Sequence, residues 1–187
     1  MTGALQRPPE EARGTIRRIE PANVQAVARL MASIKPEWWD TEGAAAQLQD
    51  VALLARLVGW YLEEDGVPRG WILCAEFDGY SCLSIENLGY DDQGRFSVDC
   101  RLDPLLRLAE QHARTKGYRC LRYVVGSAGF SCHGRPIADY SEALRTLHAH
   151  GRSDYDAMTA FGFTPSGFLP HCYAENYHGI LLTKPLL

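Results

Sequence analysis

Three consecutive runs of aromatic and β-branched residues occupy the middle of this 187-residue chain. The runs are LVGWYLEED, RGWILCAEF and YSCLSIENLGY, and they are separated by Gly66-Val67-Pro68 and by Asp78-Gly79. Short runs of this composition, bounded by turn residues, are typical of strands joined by tight hairpins. The sequence therefore predicts a three-stranded antiparallel meander at the centre of the fold.

The residues before the meander predict one strand and two helices. Residues 15–20 have the composition of a short strand, and Pro21 then begins a helix whose apolar side chains recur at helical intervals. A second helix is predicted over residues 44–57, with Asp40 or Thr41 as its N-terminal cap.

A third helix and a buried strand are predicted after the meander. The segment PLLRLAEQHARTKG starts at Pro104 and ends at Gly117, which are residue types suited to a helix start and a helix stop. The segment YRCLRYVVG that follows is almost continuously apolar, as in a central strand covered on both faces.

The last third of the chain gives a less regular pattern. Within residues 126–152, SAGFSCHGRP predicts a loop and ADYSEALRTLHAHG predicts a helix that ends at Gly151. The segment SDYDAMTAFGF predicts further helical turns capped by Ser153. Two strands joined around residues 174–176 are expected to complete the fold.

Length and charge limit the kinds of protein this chain can be. Its 187 residues fit one domain, which we assign to residues 15–187, after a disordered lead-in at residues 1–14. The net charge of −4 excludes the basic surface that binding to DNA or RNA requires. No stretch approaches the roughly 18 apolar residues of a membrane span, so we expect neither nucleic acid nor membrane as a partner.

Six cysteines are scattered along the chain without any CxxC pair. Several of them lie inside runs predicted to be buried strands, which favours a reducing cytoplasm over a disulfide framework or a zinc site. We therefore expect a cytoplasmic protein without a bound metal. The cysteines are Cys74, Cys82, Cys100, Cys120, Cys132 and Cys172.

The predicted order of elements resembles that of the GNAT (GCN5-related) N-acyltransferases. The segments TIRRIEPANVQAVARLM, GWYLEEDGVPRGWILCAEFDG and YSCLSIENLGY are similar to the family's first strand and helix and to its second, third and fourth strands. KGYRCLRYVV and AFGFTPSGF resemble the fifth strand and the entry to the sixth. The resemblance covers about residues 15–185. It implies an α/β (α+β) fold with a mixed, mostly antiparallel central sheet of about seven strands flanked by helices.

The resemblance also implies acetyl-CoA, or another acyl-CoA, as cofactor. The family binds its pyrophosphate at a [QR]xxGx[GA] motif before the long helix, where glycines let backbone amides approach the phosphates. Neither glycine is present here, and Asp99 and Asp103 would repel a phosphate that Arg95 and Arg101 attract. The expected cofactor-binding residues are Leu88, Gly89, Tyr90, Arg95, Val98, Cys100, Arg101, Leu102 and Asp103.

Glu86 and Tyr155 are the catalytic candidates that the resemblance implies. Glu86 lies where the family's fourth strand carries the base that deprotonates the amine, although a solvent-facing strand carboxylate is an equally good interpretation. Met158 stands at the position where the family has the tyrosine that acts as general acid, and Tyr155 is the nearest substitute. Trp38 and Trp39 are the candidates for an acceptor pocket, with at least one of them expected to pack in the core.

Two Cys-His pairs and three other histidines are weaker candidates. Neighbours on a strand point to opposite faces, so Cys132 with His133, or His171 with Cys172, is not expected to form a catalytic dyad. Surface or helix-capping positions are expected for the others, which are His148, His150 and His178.

The resemblance implies acetyl transfer to a small amine or a peptide amine by direct attack in a ternary complex. Because both motif glycines are missing and the family's tyrosine is displaced, a catalytically degenerate binding or regulatory module is the alternative. An unrelated α+β assembly domain is a third interpretation. Exposed C-terminal edge strands also make a homodimer possible.

Overall fold

The computed structural model describes residues 14–53, 57–77, 81–151 and 153–186. The predicted Asp78-Gly79 turn and nearly all of the predicted lead-in lie outside these ranges. The strands are β1 (Thr15–Arg18), β2 (Leu57–Glu64), β3 (Val67–Glu76), β4 (Cys82–Asp91), β5 (Phe96–Ser97), β6 (Cys120–Gly126), β7 (Thr164–Ala174) and β8 (Tyr177–Pro185). The helices are α1 (Val24–Ile34), α2 (Thr41–Leu53), α3 (Asp103–Thr115), α4 (Tyr140–Arg145) and α5 (Ser153–Ala160).

All the strands belong to one mixed sheet. Its order is β1-β2-β3-β4-β6-β8-β7, with the short β5 paired to β4. Every pairing is antiparallel except that between β4 and β6. The predicted fold class and the meander β2-β3-β4 are therefore confirmed, and the parallel pair stands at the middle of the sheet.

Helices cover the sheet on both faces, which explains why its central strands are apolar on both sides. Along β3, Trp71 and Leu73 belong to the core beneath α1 and α2, whereas Ile72 and Cys74 belong to the core that includes α3. The inward face of α1 consists of apolar residues at helical spacing, and those on α3 are buried in the same way. No helix in the described ranges is long and apolar enough to cross a membrane.

Local signals mark the start of α2 and the end of α3 where the sequence predicts. The second helix, predicted to reach residue 57, is wrong at its end, because Leu57 pairs with β3 as the first residue of β2. Asp40 caps α2, because its Oδ1 accepts a hydrogen bond of 2.7 Å from the Gly43 amide. Gly117 follows α3 with a φ of +80°, a conformation that glycine adopts without steric cost. The alternative between Asp40 and Thr41 is thus decided by the side-chain hydrogen bond, with Thr41 as the first helical residue.

The helix predicted to end at Gly151 is wrong over its second half. α4 ends at Arg145, and the following backbone instead bonds to the loop after β6. Ser131 N–H donates to the His148 carbonyl at 2.9 Å, and His150 N–H donates to Gly129 at 2.7 Å. These long-range bonds satisfy backbone groups that would otherwise continue the helix.

The surface placement expected for His178 is also wrong. His148 and His150 are exposed as expected, but His178 on β8 is fully buried. Its Nδ1 accepts from the His171 amide at 3.2 Å, and its Nε2 lies 3.3 Å from the Arg135 carbonyl. With Nδ1 accepting, Nε2 carries the hydrogen and donates it. His178 therefore holds the loop before α4 against the β7–β8 hairpin.

Candidate functional site

The parallel strands β4 and β6 separate partway along their length. They pair from Cys82 and Cys120 up to Ile85 and Tyr123, and then no further. Beyond this point a cleft of about 450 Å³ opens between them, lined by residues 86–88 of β4 and residues 123–126 of β6. Within the described residues, the next pairing of β4 on this side is that of Tyr90 with Ser97 of β5. The backbone edge of residues 86–89 therefore faces the cleft without a neighbouring strand.

A β-bulge sets the direction of Glu86. Leu73 pairs with Asn87 and Cys74 pairs with Ile85, so Glu86 is the extra residue of β4. Glu86 is exposed, lines the cleft and also borders the groove beside α2, which places it on the α1–α2 face of the sheet. The bulge thus presents a carboxylate where the two strands begin to separate.

Four aromatic rings, which we call the aromatic wall, pack together beside the cleft: Trp38, Trp39, Trp71 and Phe96. Trp38 and Phe96 line the cleft, and Trp71 is fully buried. The Trp71 indole crosses β4 and donates from Nε1 to Asn87 Oδ1 at 2.9 Å. Only glycine fits at position 89, since a Cβ there would lie 2.5 Å from Trp71 and 2.6 Å from Phe96. The missing side chain of Gly89 therefore allows the wall to lie against β4.

The two adjacent tryptophans have different environments. Trp38 is 60% exposed and lines the cleft. Trp39 is partly buried against the α1–α2 core, with its ring centroid 6.2 Å from that of Trp71. The prediction that at least one tryptophan packs on the core is confirmed. Lys35 Nζ lies 4.2 Å from the centroid of a Trp38 ring and makes an ion pair with Glu37, which braces the exposed indole.

The opposite side of the cleft comes from the C-terminal hairpin. Tyr173 and Tyr177 both line it, with ring centroids 5.0 Å apart. The Tyr177 hydroxyl lies directly over Gly126, because a Cβ on that glycine would be 2.7 Å from the oxygen. The His133 ring packs edge-on against Tyr177 at 5.0 Å, and His133 Nδ1 lies 3.2 Å from the Ser127 hydroxyl. These contacts hold the Tyr177 phenol at the end of β6.

The charged side chains that line the described part of the cleft are acidic. Among the described residues that line it, Glu86 and Asp154 carry carboxylates and none is lysine or arginine. Aromatic rings surround them on both sides, so a cation entering the cleft meets carboxylates and ring faces. In the described part of the chain, no group of three or more His, Cys, Asp or Glu side chains is arranged to hold a metal ion.

The segment before α3 is closed by its own ion pairs. Asp99 Oδ1 accepts from the Arg101 amide at 2.9 Å, and the Ser97 hydroxyl donates to Asp99 Oδ2 at 2.6 Å. The Arg101 guanidinium bonds to both Asp99 and Asp92 and lies over the Tyr90 ring. The bond from Arg101 lowers the pKa of Asp99 to about 2 and raises the pKa of Arg101. The carboxylate of Asp99 therefore already binds the Arg101 amide and guanidinium, which an incoming anion would otherwise bind.

The residues predicted to bind a cofactor are distributed around this segment. Leu88 and Val98 line the cleft, and Gly89 lies beneath the aromatic wall. Tyr90 and Leu102 face the other core, where burial and a hydrogen bond to Glu64 raise the pKa of Tyr90 to about 12. The other four lie outside the cleft lining: Arg95 in the turn after β4, Cys100 at an exposed position, Arg101 in the ion-pair network, and Asp103 at the start of α3.

The two predicted catalytic residues are not brought together. Glu86 lines the cleft, whereas the Tyr155 ring packs edge-on against Phe130 at 5.1 Å and is not among the lining residues. Burial, followed by the charge of Asp156, raises the pKa of Tyr155. The neighbouring residue of α5, Asp154, faces the cleft instead.

Several cleft residues were missed by the sequence interpretation. They are Phe96, Tyr123, Asp154, Tyr173 and Tyr177. The only signal for them was the density of tyrosines in the C-terminal hairpin, which is equally typical of packing. In the first Cys-His pair, Cys132 is buried, whereas His133 contacts Ser127 and Tyr177.

This fold, with its splayed parallel pair, is the fold of the GNAT acetyltransferases. An aminoglycoside 6'-N-acetyltransferase complexed with coenzyme A superimposes with a TM-score of 0.79 at 12% identity, covering 92% of this chain and 97% of that one. The aminoglycoside 6'-N-acetyltransferase from Enterococcus faecium gives 0.78 at 12% identity, with the same coverage of 92% and 97%. The ribosomal-protein-S18-alanine N-acetyltransferase from Escherichia coli gives 0.64 at 12% identity and covers 92% and 94%.

Comparison of the sequence alone finds no matching family model and no matching curated protein. Identities of 12% reflect a shared fold, and function has to be argued from the site itself.

Proposed function

We propose that this protein is an acyl-CoA-dependent N-acyltransferase that transfers an acetyl group from acetyl-CoA to a primary amine by direct attack in a ternary complex. The observation that carries the proposal is the cleft between β4 and β6, in which an open strand edge lies beside the bulged carboxylate of Glu86. A structural neighbour with this fold is complexed with coenzyme A, which supports the choice of cofactor.

The open edge of β4 suits the pantetheine arm of an acyl-CoA. That arm is an extended chain with two amide groups, and extended amides bind to an exposed strand edge by main-chain hydrogen bonds. Residues 86–89 provide such an edge, and Leu88 and Val98 provide apolar contacts within the cleft. The phosphates would extend towards Arg95 and Arg101.

Glu86 is the proposed base. An exposed carboxylate at the mouth of the cleft can accept a proton from the incoming amine, directly or through a water molecule that it orders. The amide of Leu88 would donate a hydrogen bond to the thioester carbonyl oxygen, where negative charge develops during attack. No covalent enzyme intermediate is required.

Two tyrosines compete for the role of proton donor to the leaving thiolate. Tyr155 is the candidate from sequence, but its ring packs against Phe130. Tyr177 lies in the cleft with its hydroxyl over Gly126, on the side opposite Glu86. A proton donor must come within hydrogen-bond reach of the departing sulfur, so we assign the role to Tyr177.

The proposed acceptor is a cationic amine. Glu86 and Asp154 line the cleft, and Trp38, Tyr173 and Tyr177 surround them with aromatic faces that attract cations. The tryptophan predicted to contact the acceptor is thus Trp38, with Trp39 supporting it through their edge-on contact at 5.5 Å. An acceptor with a second charged group could contact both carboxylates.

The ion-pair network before α3 supports a second candidate, a GNAT-fold binding module without catalysis. Asp99 already bonds to the Arg101 amide and side chain, so a pyrophosphate must either displace it or bind elsewhere. This candidate predicts weak or absent acyl-CoA binding, and the Asp99→Asn variant, which removes the competing charge, should then bind acyl-CoA more tightly than the native chain.

A thermal-shift titration with acetyl-CoA, free CoA and ATP tests the proposal. A ligand that binds only the native state raises its apparent stability by mass action, so acetyl-CoA and CoA should give a saturable increase in Tm and ATP should not. A panel of mono-, di- and polyamines is then assayed for release of free thiol. No shift at millimolar acetyl-CoA would contradict the enzyme assignment and favour the binding module.

A further inference from the structure

Two cysteines face each other across the parallel strands. Cys82 and Cys120 form the first paired rung of β4 and β6. Neighbouring strands lie about 4.8 Å apart. A disulfide spans Cα separations of about 4.4 to 6.8 Å. The sheet therefore holds these two residues at a Cα separation within the range that disulfides span.

The environment of this pair differs from that of the other four cysteines. Cys82 and Cys120 are both partly exposed, whereas Cys74 and Cys132 are buried, and Cys100 and Cys172 are exposed. All six cysteines lie in the described part of the chain, and no other two of them are partners in strand register. Only this pair combines proximity imposed by the sheet with access for a small oxidant.

The two thiols also influence each other. Burial, and after it the charge of the neighbouring Cys120, raises the pKa of Cys82 to about 12. Each sulfur further bonds to the carbonyl of the next residue along its strand, Leu83 or Leu121. The two side chains are therefore close enough to interact directly.

We propose that Cys82 and Cys120 form a reversible intramolecular disulfide site that responds to peroxide. The thiolate form of one of the two cysteines attacks one oxygen of hydrogen peroxide, becoming a sulfenic acid while hydroxide leaves and takes up a proton to form water. The sulfur of the other cysteine then attacks the sulfenic sulfur and loses its proton, and the sulfenic oxygen leaves as a second water. In total, two thiols and one peroxide give one disulfide and two waters.

The bond would join the two strands below the point where they separate. Glu86 follows Cys82 by four residues, which corresponds to about 13 Å along a strand. The disulfide therefore lies on the strands that form the cleft but outside the cleft lining. A bond that closes the chain between residues 82 and 120 constrains the unfolded state, so oxidation is expected to raise the Tm.

Peptide mapping tests the site directly. The reduced full-length protein is treated with a stepwise excess of hydrogen peroxide, blocked with N-ethylmaleimide and digested with trypsin without reduction. Cleavage after Arg69, Arg95, Arg119 and Arg122 releases peptides 70–95 and 120–122. We expect these two peptides to appear joined, at the mass of their sum less two hydrogens, and to separate after dithiothreitol.

Peptide 70–95 also contains Cys74, so a matched pair of variants assigns the bond. The linkage should persist in Cys74→Ala and disappear in Cys82→Ala, and fragmentation of the wild-type linked peptide gives the same assignment if either variant fails to fold. The exposed Cys100 and Cys172 report that the oxidant has acted. Their oxidation without any 82–120 linkage, or linkage only between two chains, would overturn the proposal.

Discussion

Single residues define the chemistry of the cleft. Glu86 owes its position to a bulge, Tyr177 owes its position to a glycine on the neighbouring element, and Asp99 is held by Arg101. Each of these arrangements can be tested by a substitution that preserves shape and removes one function, because the Gln, Phe and Asn replacements are close in volume to the native side chains.

Replacing Glu86 with Gln is expected to lower kcat for acetyl transfer about 100-fold, since positioned proton transfer contributes roughly that much or more. The KM for acetyl-CoA should change little, because the amide keeps the shape of the carboxylate. Glu63→Gln is the matched control, a strand carboxylate paired with Arg17 away from the cleft. Steady-state kinetics in which both variants lose activity equally would contradict the role of Glu86.

Removing the Tyr177 hydroxyl tests the choice of proton donor. Tyr177→Phe is expected to lower kcat at least about tenfold, whereas Tyr155→Phe should remain close to the native rate. The physical reason is that, of these two tyrosines, Tyr177 lines the cleft and Tyr155 packs against Phe130. The opposite ranking in initial-rate assays, at matched thermal stability, would return the role to Tyr155.

The lowered pKa of Asp99 predicts that the protein loses stability as the pH falls. Its folded-state pKa of about 2 lies below the unfolded value, so its contribution is complete at neutral pH and disappears as the pH falls towards 2. Asp99→Asn should therefore lower the free energy of unfolding by about 1 kcal/mol at pH 7, a figure reduced for solvent screening of the partly exposed pair.

The difference in free energy of unfolding between the native protein and the Asp99→Asn variant should become smaller as the pH falls from about 4 to 2. Urea unfolding at several pH values measures this difference. The control variant is Asp92→Asn, which removes the other acidic partner of Arg101. A gap that stays constant with pH would show that the charge of Asp99 contributes nothing.

At the scale of elements, the cleft depends on how closely helices, loops and strands approach one another. The α1–α2 connection brings Trp38 and Trp39 against Phe96 and Trp71, and the C-terminal hairpin brings Tyr173 and Tyr177 over the end of β6. Small residues at both contacts allow this approach: Gly89 under the wall and Gly126 under the hairpin.

Gly89→Ala is expected to destabilise the fold by about 1 to 3 kcal/mol, because the added methyl group overlaps the rings of Trp71 and Phe96. Gly167→Ala in β7 is the matched control, since a Cβ there meets nothing within 4 Å. Chemical denaturation measures both variants. An equal effect at the two positions would mean that backbone freedom, and not the close approach of the rings, requires glycine at position 89.

At the scale of the whole molecule, net charge and cleft charge have the same sign. The chain carries a formal net charge of −4, and the charged residues that line the described cleft are carboxylates. Long-range attraction therefore favours cationic acceptors, and salt screens that attraction.

Salt dependence of turnover tests this electrostatic argument. The kcat/KM for a dicationic amine is expected to fall several-fold when ionic strength rises from about 0.05 to 0.3 M, because the Debye length shortens over this range. A singly charged amine should show a smaller decrease and acts as the control. Equal salt sensitivity of the two acceptors would contradict recognition through paired carboxylates.

The sequence by itself determined the order and type of most elements. The meander β2-β3-β4, the helix between Pro104 and Gly117 and the C-terminal hairpin all follow from local patterns. Local periodicity records which face of an element is buried, and turn residues mark its ends. The placement of Glu86 on the fourth strand belongs to the same kind of information.

Only the tertiary structure decided where those elements meet. The early end of α4, the burial of His178 and the entry of Tyr177 into the cleft all depend on contacts between residues far apart in the chain. The bulge at Glu86 likewise exists only in the register between β3 and β4. Local patterns carry no information about which distant partner satisfies a backbone group or covers a glycine, because that choice is made when the whole sheet assembles.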